Sequence, residues 1–335
     1  MNVRAAALLP VLLSAPALAG NDGDWFASLY TGEGTELRAD ERVFALYAIF
    51  NATGYDVGPV TRRDPVPKVV YHPVRQAVRQ RVLGGDAEVR KAAETYFDAH
   101  ALPMRQYLAW AAVTAPPPFA AGPKSTDKEI AALKGFEQVL SKAWNGWKLA
   151  EVMGQVQADY RKALKAYLTA VDGPMTRAQK TLKVPAGGAQ NVLVLNLLDA
   201  SDTLRAVKGD NEVMLVVGPS DKPNVEGVIR EYARLQIDPV VQKKVGGWAA
   251  GATMLKEAQL AGAPDTTVAE YASSLVGTAI ALRALEANDA AYDAAAARGY
   301  FGARDVARMF DEGKPLDSFL MDALAKAEAR RPSKK

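Results

Sequence analysis

The chain has 335 residues, 24 % charged and 49 % hydrophobic, a composition that excludes disordered and fibrous classes. Lys and Arg number 41 against 38 Asp and Glu, and the net charge of +3 is too even for a nucleic-acid binder. Cysteine is absent, which removes disulfides, thiolate metal sites and cysteine nucleophiles, and imidazole chemistry is left to His72 and His100 alone.

At the N-terminus, Arg4 precedes an apolar run from Ala5 to Leu13 and the small-residue stretch Ser14-Ala15-Pro16-Ala17-Leu18-Ala19. A basic start, a short apolar segment and an Ala-x-Ala ending predict a secretory signal over residues 1–19, cut after Ala19. The run is too short to span a bilayer, which takes about 20 apolar residues. The expected product is exported to the periplasm or the medium, with no membrane insertion.

Helical spacing then predicts helices over Glu41–Thr53, closed by Gly54, over Val74–Leu83, over Asp86–His100 and over Leu102–Thr114. Asp127–Ala170 reads as largely helical, with Trp144 and Trp147 on one face as packing residues. Near Pro185 the pattern changes. Asn191–Leu198 and Glu212–Val217 are short apolar runs bounded by polar and turn residues, and they are expected to be two paired strands. Lys208-Gly209-Asp210-Asn211 supplies turn chemistry between them. Helices follow over Val225–Ile237, ended by Pro239, over Val241–Gln259 and over Thr266–Ala287. Ala329–Lys335 is a basic tail.

The segment Val228-Ile229-Arg230-Glu231-Tyr232-Ala233-Arg234-Leu235-Gln236-Ile237-Asp238-Pro239, preceded by the strand Val213–Val217 and Gly218-Pro219, resembles the active-site helix of the zincin metallopeptidases. It is most similar to the secreted bacterial, glutamate-type members, which carry His-Glu-x-x-His ahead of a short Asp-Pro or Asn-Pro stretch. Glu41 to Phe97 is also similar to these proteins, although the stretch around Glu231 carries the diagnosis. The resemblance implies that Val213–Val217 stands at the edge-strand place, and that a third zinc ligand comes from a later helix, at Ser274 or Glu270.

This chain departs from the motif where it matters. Both histidine positions are arginines, Arg230 and Arg234, while Glu231 is kept. Residues four apart share a helix face, so two imidazoles there can grip one zinc ion. A guanidinium has five N–H donors and no lone pair to give, and it stays charged at any working pH. The expected site therefore holds no metal and no cofactor. Read without the resemblance, Glu226, Arg230, Glu231, Arg234 and Asp238 form the charge ladder of a solvated helix.

Other chemistries lack their signatures. Gly187-Gly188 precedes a strand rather than opening a helix, and no Gly-x-Ser-x-Gly elbow is present. The expected architecture is a predominantly α-helical α+β protein. It comprises a helical region over 20–185, a zincin-like region over 186–328 with a small sheet on the Arg230 helix, and the tail over 329–335. The expected function is a catalytically inactive, zincin-like exported protein retained for peptide or protein binding or for a structural role, the peptide lying along the Val213–Val217 strand. An active hydrolase with a site held by carboxylates, and a helical envelope protein unrelated to peptidases, are the alternatives.

Overall fold

The computed structural model describes residues 28–32, 34–56, 69–123, 127–183, 190–209, 212–310 and 313–331. The expected signal segment and its cleavage point, the Gly187-Gly188 stretch and the last four residues of the tail lie outside them. The protein is a predominantly helical α+β fold, 63 % helical with one small mixed sheet.

Two short strands come first, β1 (Leu29–Tyr30) and β2 (Glu36–Arg38). Helices α1 (Glu41–Thr53), α2 (Pro73–Leu83), α3 (Ala87–Ala99) and α4 (Met104–Val113) follow. The stretch after Asp127 is largely helical, as expected, and consists of four helices: α5 (Lys128–Ala131), α6 (Phe136–Gly146), α7 (Leu149–Gln155) and α8 (Gln157–Leu182). Gly135 at φ +93° and Lys148 at φ +51° turn the chain out of the right-handed region and break it there.

Strands β3 (Gln190–Leu195), β4 (Leu204–Lys208) and β5 (Glu212–Val217) complete the sheet, whose order is β1-β2-β3-β5-β4. The two expected strands do pair, in parallel from Gln190↔Glu212 to Leu195↔Val217. The turn chemistry at Lys208-Gly209 joins β4 to β5, an antiparallel hairpin with Leu204 opposite Val217. Sheet pairing also joins the two expected regions, because β2 lies parallel to β3.

That order corrects two expectations. Val213–Val217 is not an edge strand: β3 and β4 occupy its two sides, so its backbone groups are spent and no peptide can add to it. The edge next to it is β4, which has no strand on its outer side among the described residues, and β1 is the opposite edge.

Helix α9 (Val225–Lys244) leaves β5 through Asn224, whose side chain caps it by accepting from the Gly227 N–H at 2.9 Å. It runs through Pro239 instead of stopping there. The Gly246-Gly247 turn, not the proline, separates it from α10 (Gly251–Leu260). Helix α11 (Val268–Ala284) opens on a capping box of Thr267 and Glu270. Three helices not anticipated in the sequence end the chain: α12 (Asp289–Ala297), α13 (Ala303–Met309) and α14 (Leu316–Glu328).

Two helices are buried almost all round, α1 from Val43 to Ala52 and α11 from Tyr271 to Leu282, which makes them the central rods of the core. Charge ties α1 to the sheet. Asp40 caps α1 and accepts from Arg42 Nη2 at 2.7 Å and Arg38 Nη2 at 2.8 Å, and Glu212 of β5 receives the same two guanidiniums at 2.6 and 2.9 Å. Burial pushes the Asp40 carboxyl up, but Arg42 and Arg38 outweigh it and hold its pKa at about 2.

Candidate functional site

Helix α9 lies against β4, β5 and α8, and has its most extensive contact with α11. Its apolar face, Val228, Ile229, Tyr232, Ala233, Ile237 and Val241, is buried and fixes its rotation. Arg230, Glu231 and Arg234 are left half-buried beside that face. Glu231 accepts from Arg230 Nε at 3.3 Å and from Arg234 Nη1 at 3.1 Å, so one carboxylate holds both guanidiniums. The ladder read from the sequence is only partly realised. Glu226 pairs with Arg298 at 2.7 Å rather than with Arg230, and Arg234 turns towards Glu231 rather than Asp238.

Both arginines lean on α11 at Gly277. A β-carbon at that position would stand 3.1 Å from the Arg230 carbonyl oxygen and 3.1 Å from Arg234 Cγ, so glycine is what lets the two helices approach so closely. One turn earlier on the same face is Ser274, buried, whose hydroxyl donates to Asp265 Oδ1 at 2.6 Å. Asp265 sits in the loop before α11. Burial raises its pKa, and Ser274, Arg234 and Arg230 counter only part of that rise.

Glu270, the other position considered for a third ligand, is half-buried and engaged with the loop before α11. It accepts from the Thr266 N–H at 2.9 Å, the Thr267 N–H at 3.1 Å and the Thr266 hydroxyl at 2.7 Å, and these bonds lower its pKa. Glu270, Ser274 and Gly277 follow one face of α11 at helical spacing, and the Arg234 charge adds to the lowering of the Glu270 pKa. The rings of Trp248, Tyr271 and Tyr300 stack in series at 6.1 and 6.5 Å. Burial first, and the nearby Asp265 charge second, push the phenols of Tyr271 and Tyr300 up.

The two histidines stand at helix ends and take no part in this cluster. His72 caps α2, its Nδ1 accepting from the Val74 N–H at 3.2 Å. His100 ends α3 and stacks on Tyr96 at 4.1 Å between ring centres. Among the described residues no three His, Asp or Glu side chains converge as metal ligands.

The sequence brought forward Arg230, Glu231 and Arg234, with Ser274 or Glu270, and the fold places the first three on α9 and the other two on α11, which packs against it. Asp265 and Gly277 were not anticipated. A lone acid in a loop and a single glycine in an apolar helix carry no periodic signal, and only the α9–α11 contact gives them meaning. Chemically, the cluster offers many N–H donors, one shared carboxylate and a buried acid backed by a hydroxyl. It can grip carboxylate or carbonyl oxygens, and it presents no lone-pair set suited to a zinc ion. Comparison with protein-family models, with curated proteins and with solved structures finds no match for the chain.

Proposed function

We propose that this chain is an exported, zincin-like protein that has lost its zinc site, does not hydrolyse peptides, and is retained to bind one. The observation that carries the reading is the pair Arg230 and Arg234. They stand four apart on the helix that directly follows a sheet strand, where imidazoles would be needed to ligate zinc. One further feature supports it: α11, which carries both candidate third-ligand positions, Ser274 and Glu270, lies along that helix.

The peptide belongs on the outer side of β4, not on the Val213–Val217 strand. β4 ends the sheet beside α9, and an extended chain added there makes main-chain hydrogen bonds along Leu204–Lys208. Zinc titration of the purified protein, followed by peptide-hydrolysis assays with the metal present, tests the reading. Weak, substoichiometric zinc and no turnover are expected. Stoichiometric tight zinc with turnover overturns it.

A further inference from the structure

A cleft of about 990 Å³ lies between α3 and α6, within the size range of small-molecule sites. Two glycines set its ends. A β-carbon on Gly146 would stand 2.7 Å from Val89 Cγ2, and one on Gly135 would stand 4.0 Å from Tyr96 Cε2, so the two helices run antiparallel and meet at both ends. Just inward of the Val89–Gly146 contact, Lys91 stands on one wall and Lys142 on the other, with Glu88 and Asn145 beyond them. Ser141, Thr95 and Gln138 continue the walls towards Tyr96, and His100 closes that end.

These groups can be reached from solvent: Lys91, Lys142, Gln138 and Asn145 are exposed. Neither lysine forms an ion pair among the described residues, and the side chains of Gln138, Ser141 and Asn145 have no hydrogen-bond partner there. Two ammoniums lining one cleft favour an anion between them, to which both can donate charge-assisted hydrogen bonds. The amides and the serine hydroxyl each donate and accept, and Glu88 accepts. Hydroxyl groups match all of these. The occupant described by this lining is an anion that carries several hydroxyls.

Other classes fit the walls poorly. A docking helix needs a run of deep apolar pockets, whereas the apolar lining beside Tyr96 is only Val89, Ala92, Ala99 and Val139. An extended peptide finds no strand edge here, because both walls are helices whose backbone groups are already bonded. A nucleic-acid strand needs bare aromatic faces, but Tyr96 is stacked on His100 at 4.1 Å and packed against Phe136 at 5.2 Å.

We propose that the α3–α6 cleft binds an acidic oligosaccharide, with a ring carboxylate held between Lys91 and Lys142 and ring hydroxyls on Gln138, Ser141 and Asn145. The assignment stands on this cleft alone and does not depend on the peptide-binding reading.

Calorimetric titration of the purified full chain tests it with trigalacturonate, with the neutral trisaccharide maltotriose, and with tricarballylate, which has carboxylates and no hydroxyl. Trigalacturonate is expected to bind saturably and roughly tenfold tighter or better than either other probe, the usual effect of one hydrogen bond to a charged group. The double variant Lys91→Gln, Lys142→Gln should lose about tenfold or more of that affinity with unchanged far-ultraviolet circular dichroism. Lys148→Gln, an exposed lysine outside the cleft, should keep it. Maltotriose binding as tightly overturns the carboxylate assignment, and tricarballylate binding as tightly overturns the hydroxyl contacts. No saturable binding of trigalacturonate, or an undiminished affinity in the double variant, overturns the proposal as a whole.

Discussion

Asp40→Ala is expected to lower the unfolding free energy by about 3–5 kcal/mol, the usual cost of removing one partner from a buried ion pair. Asp40 is buried and serves two purposes at once. It caps α1 through the N–H groups of Arg42 and Val43, and it sits between the guanidiniums of Arg38 and Arg42. Without it, among the described residues, the two cations share Glu212, and Arg38 keeps Glu36. Chemical denaturation at neutral pH, read as a shift in midpoint at constant slope, measures the loss.

The same group sets an acid limit. Its folded pKa of about 2 lies below the ordinary 3.8, so the charged form is favoured by folding. The contribution, on the order of 2 kcal/mol, is present above about pH 4 and drains away as pH falls towards 2. The wild type should therefore lose stability faster than Asp40→Ala between pH 4 and pH 2. Parallel curves for the two proteins across that window would contradict this account of the network.

Gly277→Val should cost about 2–3 kcal/mol, whereas Gly277→Ala should be close to neutral. The alanine β-carbon meets the Arg230 carbonyl oxygen and Arg234 Cγ at 3.1 Å, a few tenths of an ångström too close. About 1 kcal/mol of helix propensity gained over glycine offsets that crowding. Valine adds two methyl groups in a seam already filled by the stems of Arg230 and Arg234, so α9 has to move off α11. Thermal unfolding of the two variants separates the cases. A valine variant as stable as the alanine one would mean that the α9–α11 contact is looser than described.

Much of the helical frame could be read directly. Gly54 reads as the end of α1, and the helical spacing over 41–53, 86–100 and 266–287 matches α1, α3 and α11. Strands were harder, because their partners are remote. Glu36–Arg38 is three residues long and becomes a strand only by pairing with Val192–Val194, more than 150 residues on. Leu204–Lys208 mixes Arg and Lys with apolar residues and shows as a strand only beside β5. The alanine-rich α12 lacks a distinct apolar stripe, whereas α14 carries one, Phe319, Leu320, Ala323, Leu324 and Ala327, that the sequence did offer. Of the site, the spacing of Arg230 and Arg234 was legible, because four residues return a helix to the same face. The facing wall was not, because Ser274, Asp265 and Gly277 gain their roles from helix packing, which local sequence does not encode.

If α9 and α11 are a zincin-like frame stripped of its ligands, restoring the ligands should restore the metal. The most direct measurement is isothermal zinc titration of the triple variant Arg230→His, Arg234→His, Ser274→Glu beside the wild type, with circular dichroism to show that both are folded. Two imidazoles four apart on α9 and a carboxylate from the facing turn of α11 form a three-ligand set with a fourth position open. The account predicts one tightly held zinc per chain for the variant and none for the wild type. A folded variant that takes up no zinc, or a wild type that binds it equally well, would contradict it.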